Sequence, residues 1–226
     1  MRMLVWPCPG KDWPGEEFAL LAGPDDPQRR VLVVPALFEE ANRTRRLLAQ
    51  TMRALAAHGV ASVLPDLPGC NESPTRLEHQ DLAAWRASME AAAQHFGASH
   101  VLSLRGGTIL VPPGLPGWWL EPLGGASALR HLVRARIVAA KQAGRPEKSD
   151  GLIARGRKSG LELAGYRLSA AMVRDLEGSD LPAPGPGVAI LALADVVGSA
   201  LWLRSEPGED AGMAEALAAT IARGMA

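Results

Sequence analysis

Apolar positions in the first half of the chain alternate between two kinds of pattern. Arg30-Val31-Leu32-Val33-Val34-Pro35 is apolar almost without a break, as in a strand covered on both faces. From Thr44 to His58 the spacing becomes helical, with Leu48, Met52 and Leu55 on one face and Gly59 placed to end the helix. Val60 to Pro65 reads as a second strand. Asp81 to Phe96 gives the clearest helix, with Leu82, Trp85, Met89, Ala93 and Phe96 on one stripe and Gly97 after it. His100 to Leu104 is a third strand. This alternation predicts an α/β fold: a mostly parallel sheet with right-handed crossovers and helices on both faces.

The second half is less regular. Pro112, Pro113 and Pro116 exclude a long helix between Thr108 and Gly117. Trp118 to Pro122 reads as a strand, with its two tryptophans on opposite faces, and Leu123-Gly124-Gly125 as its exit. Ser127 to Ala143 is helical and basic along one side. Gly144 to Lys158 is charged and aperiodic, which predicts an exposed, flexible insertion within a single domain spanning 1–226. Leu161 to Tyr166 reads as a short strand entering a turn at Arg167-Leu168-Ser169, with a helix following to Leu176. Leu181 to Gly187 carries three prolines and reads as a linker. Strands are expected at Val188–Leu193 and Ala200–Leu203, and a terminal helix at Ala211–Ala222. No internal repeat is present.

At 226 residues the chain is long enough to bury a core without disulfide or metal staples. Hydrophobic residues are 47% and charged residues 21%, a globular composition. Lysine plus arginine and aspartate plus glutamate each number 24, so no global basic field exists to hold nucleic acid. Two cysteines, Cys8 and Cys70, point to a reducing, cytoplasmic setting. No metal-ligand spacing, nucleotide-binding glycine motif or membrane span is legible, and no cofactor is expected.

In an open parallel sheet, ligands bind beyond the carboxyl ends of the strands. Three such ends carry candidate chemistry. After the first strand, Phe38, Glu39, Glu40 and Asn42 border a helix N-terminus, where two acids also suit the helix dipole. After the second come Asp66, the thiol of Cys70 and the hydroxyl of Ser73. Asp66 reads foremost as a carboxylate that ties its loop, and Cys70 as a bystander thiol without a base. After the third, Ser103-Leu104-Arg105-Gly106-Gly107 has the sharp strand-to-turn form of a nucleophile elbow, with Arg105 where the nucleophile would stand. A guanidinium stays protonated and cannot attack. Arg105 is left to clamp an anionic ligand or to pair with an acid such as Asp66 or Glu121. Ser103 is expected to face the sheet.

These motifs resemble a known group. Val34-Pro35-Ala36-Leu37-Phe38-Glu39-Glu40-Ala41-Asn42-Arg43-Thr44-Arg45-Arg46 is similar to the PPFAEEMNKSRR loop of exosortase A system-associated hydrolases, which belong to the α/β-hydrolase superfamily. Asp66 to Ser73 resembles their D-x-x-G-C-G-x-S segment. Leu102 to Gly107 is similar to the W-G-L-R-x-G elbow of the second type of these proteins, and Glu162 to Ser169 resembles their V-A-G-Y-x-L-S stretch. The resemblance runs from about Val31 to Trp202 and implies a reduced α/β-hydrolase-like fold and a setting in bacterial exopolysaccharide synthesis. It places Phe38, Glu39 and Glu40 beside the oxyanion-side loop and Arg105 at the elbow.

Three features depart from an active hydrolase. There is no nucleophile at the elbow. The prolines leave room for barely one turn after it. The histidines (His58, His79, His95, His100 and His131) all precede the last third of the chain, where the fold's triad histidine belongs.

The sequence therefore predicts a protein without a Ser-His-Asp triad that binds a small acyl or glycan-type ligand or assists proteins of an exopolysaccharide system. Expected ligand-binding residues are Phe38, Glu39, Glu40, Asn42, Arg105 and Glu121. The alternative is an esterase or thioesterase using Cys70 or Ser73, with Glu39, Glu40 or Asp66 as base. A third reading makes Trp118, Trp119 and the basic helix a docking or homodimer face.

Overall fold

The computed structural model describes residues 1–10, 15–25, 27–204 and 206–225. Its first half runs β1 (Arg2–Cys8), β2 (Gly15–Ala22), β3 (Arg30–Val34), α1 (Glu39–Ala57), β4 (Ala61–Pro65), α2 (Leu82–His95) and β5 (His100–Leu104). The second half runs β6 (Gly117–Leu120), α3 (Gly125–Gln142), α4 (Ser149–Ser159), β7 (Leu161–Leu163), β8 (Tyr166–Leu168), α5 (Ala170–Glu177), β9 (Val188–Leu191) and α6 (Ala211–Met225).

Seven strands form one sheet in the order β1-β2-β4-β3-β5-β6-β9. The β1–β2 and β2–β4 pairs are antiparallel, and the other pairs are parallel. Successive side chains of β3 enter opposite cores. Leu32 and Val34 pack with α2, α3 and α5, whereas Val31 and Val33 pack with α1 and α6. All four are fully buried, which explains the unbroken apolar run. Because β3 pairs with both β4 and β5, the chain reverses its winding between β3 and β5. A crevice opens at such a switch point, beyond the strand ends.

The helix at 82–95 starts where Asp81 accepts a hydrogen bond from the Ala84 amide at 2.8 Å and ends before Gly97, whose φ is +62°. Helix α1 begins five residues before the expected Thr44. Its apolar stripe starts only at Thr44 and Leu47, so periodicity misses a first turn set by backbone geometry.

Other expectations are corrected. The β1–β2 pair leaves no clear alternating pattern in the sequence, because its inward row of Gly15, Glu17, Ala19 and Leu21 includes a carboxylate and a glycine. Most of the predicted excursion at 144–158 is helix α4. Only Leu152 and Gly156 are buried there, and a Cβ at Gly156 would lie 3.2 Å from Val173, so the packed stripe is too small to register as periodic. The stretch at 161–168 is a two-stranded hairpin turned at Ala164-Gly165. Leu201–Leu203 is a 3-10 turn instead of a strand. Trp118 and Trp119 are both buried, which removes them from any docking face.

Gly107 lies where two strand ends meet: a Cβ there would come within 2.0 Å of the Pro35 carbonyl oxygen. Gly107→Ala is expected to cost roughly 3 kcal/mol or more in urea unfolding, since backbone must shift. Gly151→Ala, with open space around an α4 position, should stabilise by about 0.5–1 kcal/mol. A destabilising Gly151→Ala would contradict the helical assignment of α4.

Candidate functional site

The turn after β5 is sharp, with Arg105 at its bend. Arg105 has φ +54°, a left-handed conformation that a non-glycine residue holds only under constraint. A single 3-10 segment, Arg105–Leu110, follows and stops at Pro112. Arg105 Nε donates to Glu40 Oε2 at 3.1 Å and Nη2 donates to Glu40 Oε1 at 3.2 Å. Nη1 donates to the Glu121 carbonyl at 3.2 Å, and the guanidinium lies 4.7 Å from the centre of the Trp202 ring. The two charged side chains are 11% and 15% exposed.

The sequence allowed Asp66 or Glu121 as the acid partner of Arg105. The partner is Glu40, held in reach by the first turn of α1. Glu121 contributes only its carbonyl, and its carboxylate accepts from the Leu193 amide at 2.9 Å. Ser103 does face the sheet, buried and 2.9 Å from the Thr108 hydroxyl.

Asp66 is tied by side chains. Its Oδ1 accepts from Asn71 Nδ2 at 2.7 Å and from Arg45 Nη1 at 3.1 Å. Ser73 is saturated as well. Its Oγ accepts from the amides of Gly69 at 2.8 Å and Thr75 at 3.2 Å, and donates to Glu17 Oε1 at 2.7 Å. The Cys70 thiol is pushed up to about 12 by burial, with further upward push from the negative charges of Asp66 and Glu17. It therefore remains a thiol near neutral pH, a poor nucleophile.

Phe38 divides the region. Its backbone has φ +56° and ψ −127°, and its ring packs 5.6 Å from Trp85 and edge-on to Tyr166 at 5.4 Å. Asn42 Nδ2 donates to the Tyr166 hydroxyl at 3.1 Å, linking α1 to the β7–β8 hairpin. On one side of Phe38 is a hollow of about 220 Å³ that includes Asn42, Asp66, Cys70 and Tyr166. On the other is a cleft of about 740 Å³ bordered by Glu39, Glu40, Gly106 and α3. Cys70 and Glu39 thus line different hollows, and Ser73 lines neither. The constellation imagined for an unconventional hydrolase is not assembled.

Three contributors escaped the sequence reading. His131 Nδ1 lies 3.6 Å from Glu40 Oε1, Trp202 covers Arg105, and Tyr166 closes the smaller hollow. His131 belongs to the helix already recognised as basic, but a search for a late-chain histidine passes over it. Arg43 completes the lip, donating to the Trp202 carbonyl at 2.8 Å and pairing with Glu39 at 3.2 Å.

The structure is similar to that of a protein from Agrobacterium vitis S4 described as a hydrolase, with TM-score 0.55 and 14% identity over 84% of this chain and 77% of that one. It is also similar to Est1E from Butyrivibrio proteoclasticus, solved with ferulic acid bound, with TM-score 0.50 and 14% identity over 73% of this chain and 68% of that one. At such identity the likeness establishes the architecture: the fold is α/β-hydrolase-like. No family model and no curated protein matches the sequence.

Removing one partner of the Arg105–Glu40 fork strands the other. Glu40→Ala and Arg105→Ala are each expected to cost about 3 kcal/mol. The double variant should cost clearly less than the sum, as read by a denaturation cycle. Additive losses would show that the pair is not coupled. A second expectation concerns Glu17, 2% exposed, whose carboxyl is pushed up chiefly by burial. A native pKa above the unfolded one means that ionised Glu17 opposes folding above the native pKa. That opposition is relieved as pH falls through it. Glu17→Gln should therefore raise Tm relative to the parent at pH 8, with the gain shrinking on acidification. A gain that grows on acidification would contradict the burial argument.

Proposed function

We propose that this chain is a non-catalytic, ligand-binding member of the α/β-hydrolase architecture, an accessory protein of a bacterial exopolysaccharide or exosortase system acting in the cytoplasm. The observation that carries the reading is Arg105. The elbow position holds a permanently charged group already committed to Glu40, Glu121 and Trp202, so it offers neither a nucleophile nor a vacancy for one. Loss of nucleophile and histidine together removes roughly six orders of magnitude of rate in a triad enzyme.

The cleft beside Glu40 supports binding of a small acyl or glycan-type ligand. The exopolysaccharide setting rests on the sequence resemblance at 34–46, 66–73, 102–107 and 162–169. Partner proteins of such a system, and a second copy of the chain, belong to the same proposal. Among the described residues, no helix is long and apolar enough to cross a membrane.

The alternative hydrolase would need Cys70 or Ser73 to attack. The thiol is held protonated, and both serine lone pairs face backbone amides, so no observation favours it.

Intact mass after incubation of folded protein with a fluorophosphonate is expected to show no adduct, and 4-nitrophenyl butyrate should hydrolyse no faster than with denatured protein. Iodoacetamide should spare Cys70 in the folded chain and modify it in urea. A stoichiometric serine adduct that disappears on denaturation would overturn the proposal.

A further inference from the structure

The cleft has a charge balance that selects its occupant. Its two carboxylates are both taken, Glu39 by Arg43 and Glu40 by Arg105. Arg134 projects from α3 into the lining, and no carboxylate of the described residues lies within ion-pair distance of it. His131, one turn earlier and 53% exposed, adds a ring nitrogen beside it. The paired charges cancel, and the remainder is positive.

The rest of the lining is apolar and linear. Ala128, Leu132, Ala135, Val138 and Ala139 fall at helical spacing along α3, and Gln142 closes the row. From 128 to 142 the row extends about 21 Å. Trp202 and Leu203 face it across the cleft. At its outer end Val138 is 50% exposed and Leu203 is 72% exposed, leaving apolar surface that a ligand would cover. A void of about 150 Å³ takes a benzene ring, so 740 Å³ takes a chain on the order of ten carbons with its head group.

A sugar is the poorer fit. It would need an open aromatic platform and several free donors and acceptors. Trp202 is 4% exposed with Arg105 against its ring, and the paired Glu39 and Glu40 have little left to offer.

We infer that this cleft binds an anionic amphiphile, an alkyl chain bearing a carboxylate or phosphate head, with Arg134 and His131 holding the head and the apolar row of α3 holding the chain. The inference rests on the reading of the cleft as a binding site and narrows its ligand from acyl or glycan to the charged acyl class.

The test is calorimetric titration of the full chain with sodium decanoate, decyl phosphate and decyl glucoside, all below micelle-forming concentrations. Decanoate or decyl phosphate should bind one to one, about tenfold more tightly than the glucoside. The better of the two acids identifies the head group. Arg134→Ala should weaken the anions about tenfold and leave the glucoside unchanged, and Arg134→Glu should weaken them further. Ala139→Trp, which fills the far part of the row two turns from His131, should abolish binding of all three, with thermal melts confirming that each variant is folded. Glucoside binding equal to or tighter than the anions, or anion binding indifferent to Arg134→Ala, overturns this inference while leaving a binding role intact. Absence of saturable binding by all three overturns the inference and the binding role of this cleft together. Turnover of 4-nitrophenyl decanoate would instead sink the non-catalytic reading on its own.

Discussion

The fork between Arg105 and Glu40 is the interaction on which the rest of the site depends. It joins the end of β5 to the first turn of α1 across the switch point of the sheet, at distances of 3.1 and 3.2 Å. Nearly excluded from water, the two charges have little alternative to each other. The fork holds Arg105 at φ +54° and draws Glu40 over the elbow, where His131 and the wall of the large cleft meet it. Such backbone strain costs about 1–3 kcal/mol and persists only where surrounding contacts over-determine it. Here those contacts are the fork, the Glu121 carbonyl, the Trp202 ring and the zero-clearance fit of Gly107 on Pro35.

The elements from α3 to α5 are anchored over this region by a few specific contacts. Ser169 Oγ donates to the Gln80 carbonyl at 2.7 Å and accepts from the Met172 amide at 2.9 Å, so one hydroxyl caps α5 and pins it to the loop before α2. The hairpin tip is fixed by Asn42 and Phe38 through Tyr166. Met172, Val173 and Leu176 then join the core of that face of the sheet. The large cleft lies between this covering layer and the α1 end, so α3 serves both as scaffold and as one wall.

Legibility in the sequence followed physical range. Strands β3, β4 and β5 and helix α2 were readable because burial on two faces, or on one helical stripe, leaves a local pattern of apolar residues. The hairpin β1–β2 was unreadable because its inward row contains Glu17, whose hydrogen bond to Ser73 spans 56 positions. Helix α4 packs through a glycine. At the site, residue chemistry alone showed that Arg105 is no nucleophile, yet its partner stands 65 positions away and could not be chosen among several acids. The separation of Cys70 from Glu39 by Phe38 depends on one backbone conformation, φ +56° with ψ −127°, which no composition or spacing encodes. His131 carries no signal of its own, since it sits mid-chain on a basic helix and away from where a triad histidine usually falls.

The committed arginine also makes any change at position 105 depend on its neighbours. Arg105→Ser would place a hydroxyl at the bend, but it would leave Glu40 without its fork, Trp202 without its cation and the Glu121 carbonyl without its donor. The new serine would face a carboxylate that has lost its fork and keeps, among the described residues, only His131, 3.6 Å away, above a turn too short to end in a helix. Its effect on stability is therefore conditional on changes at 40, 121 and 202, so the position is epistatically locked. A single change at 105 is therefore uphill in stability, and the position can vary only in concert with the residues that face it.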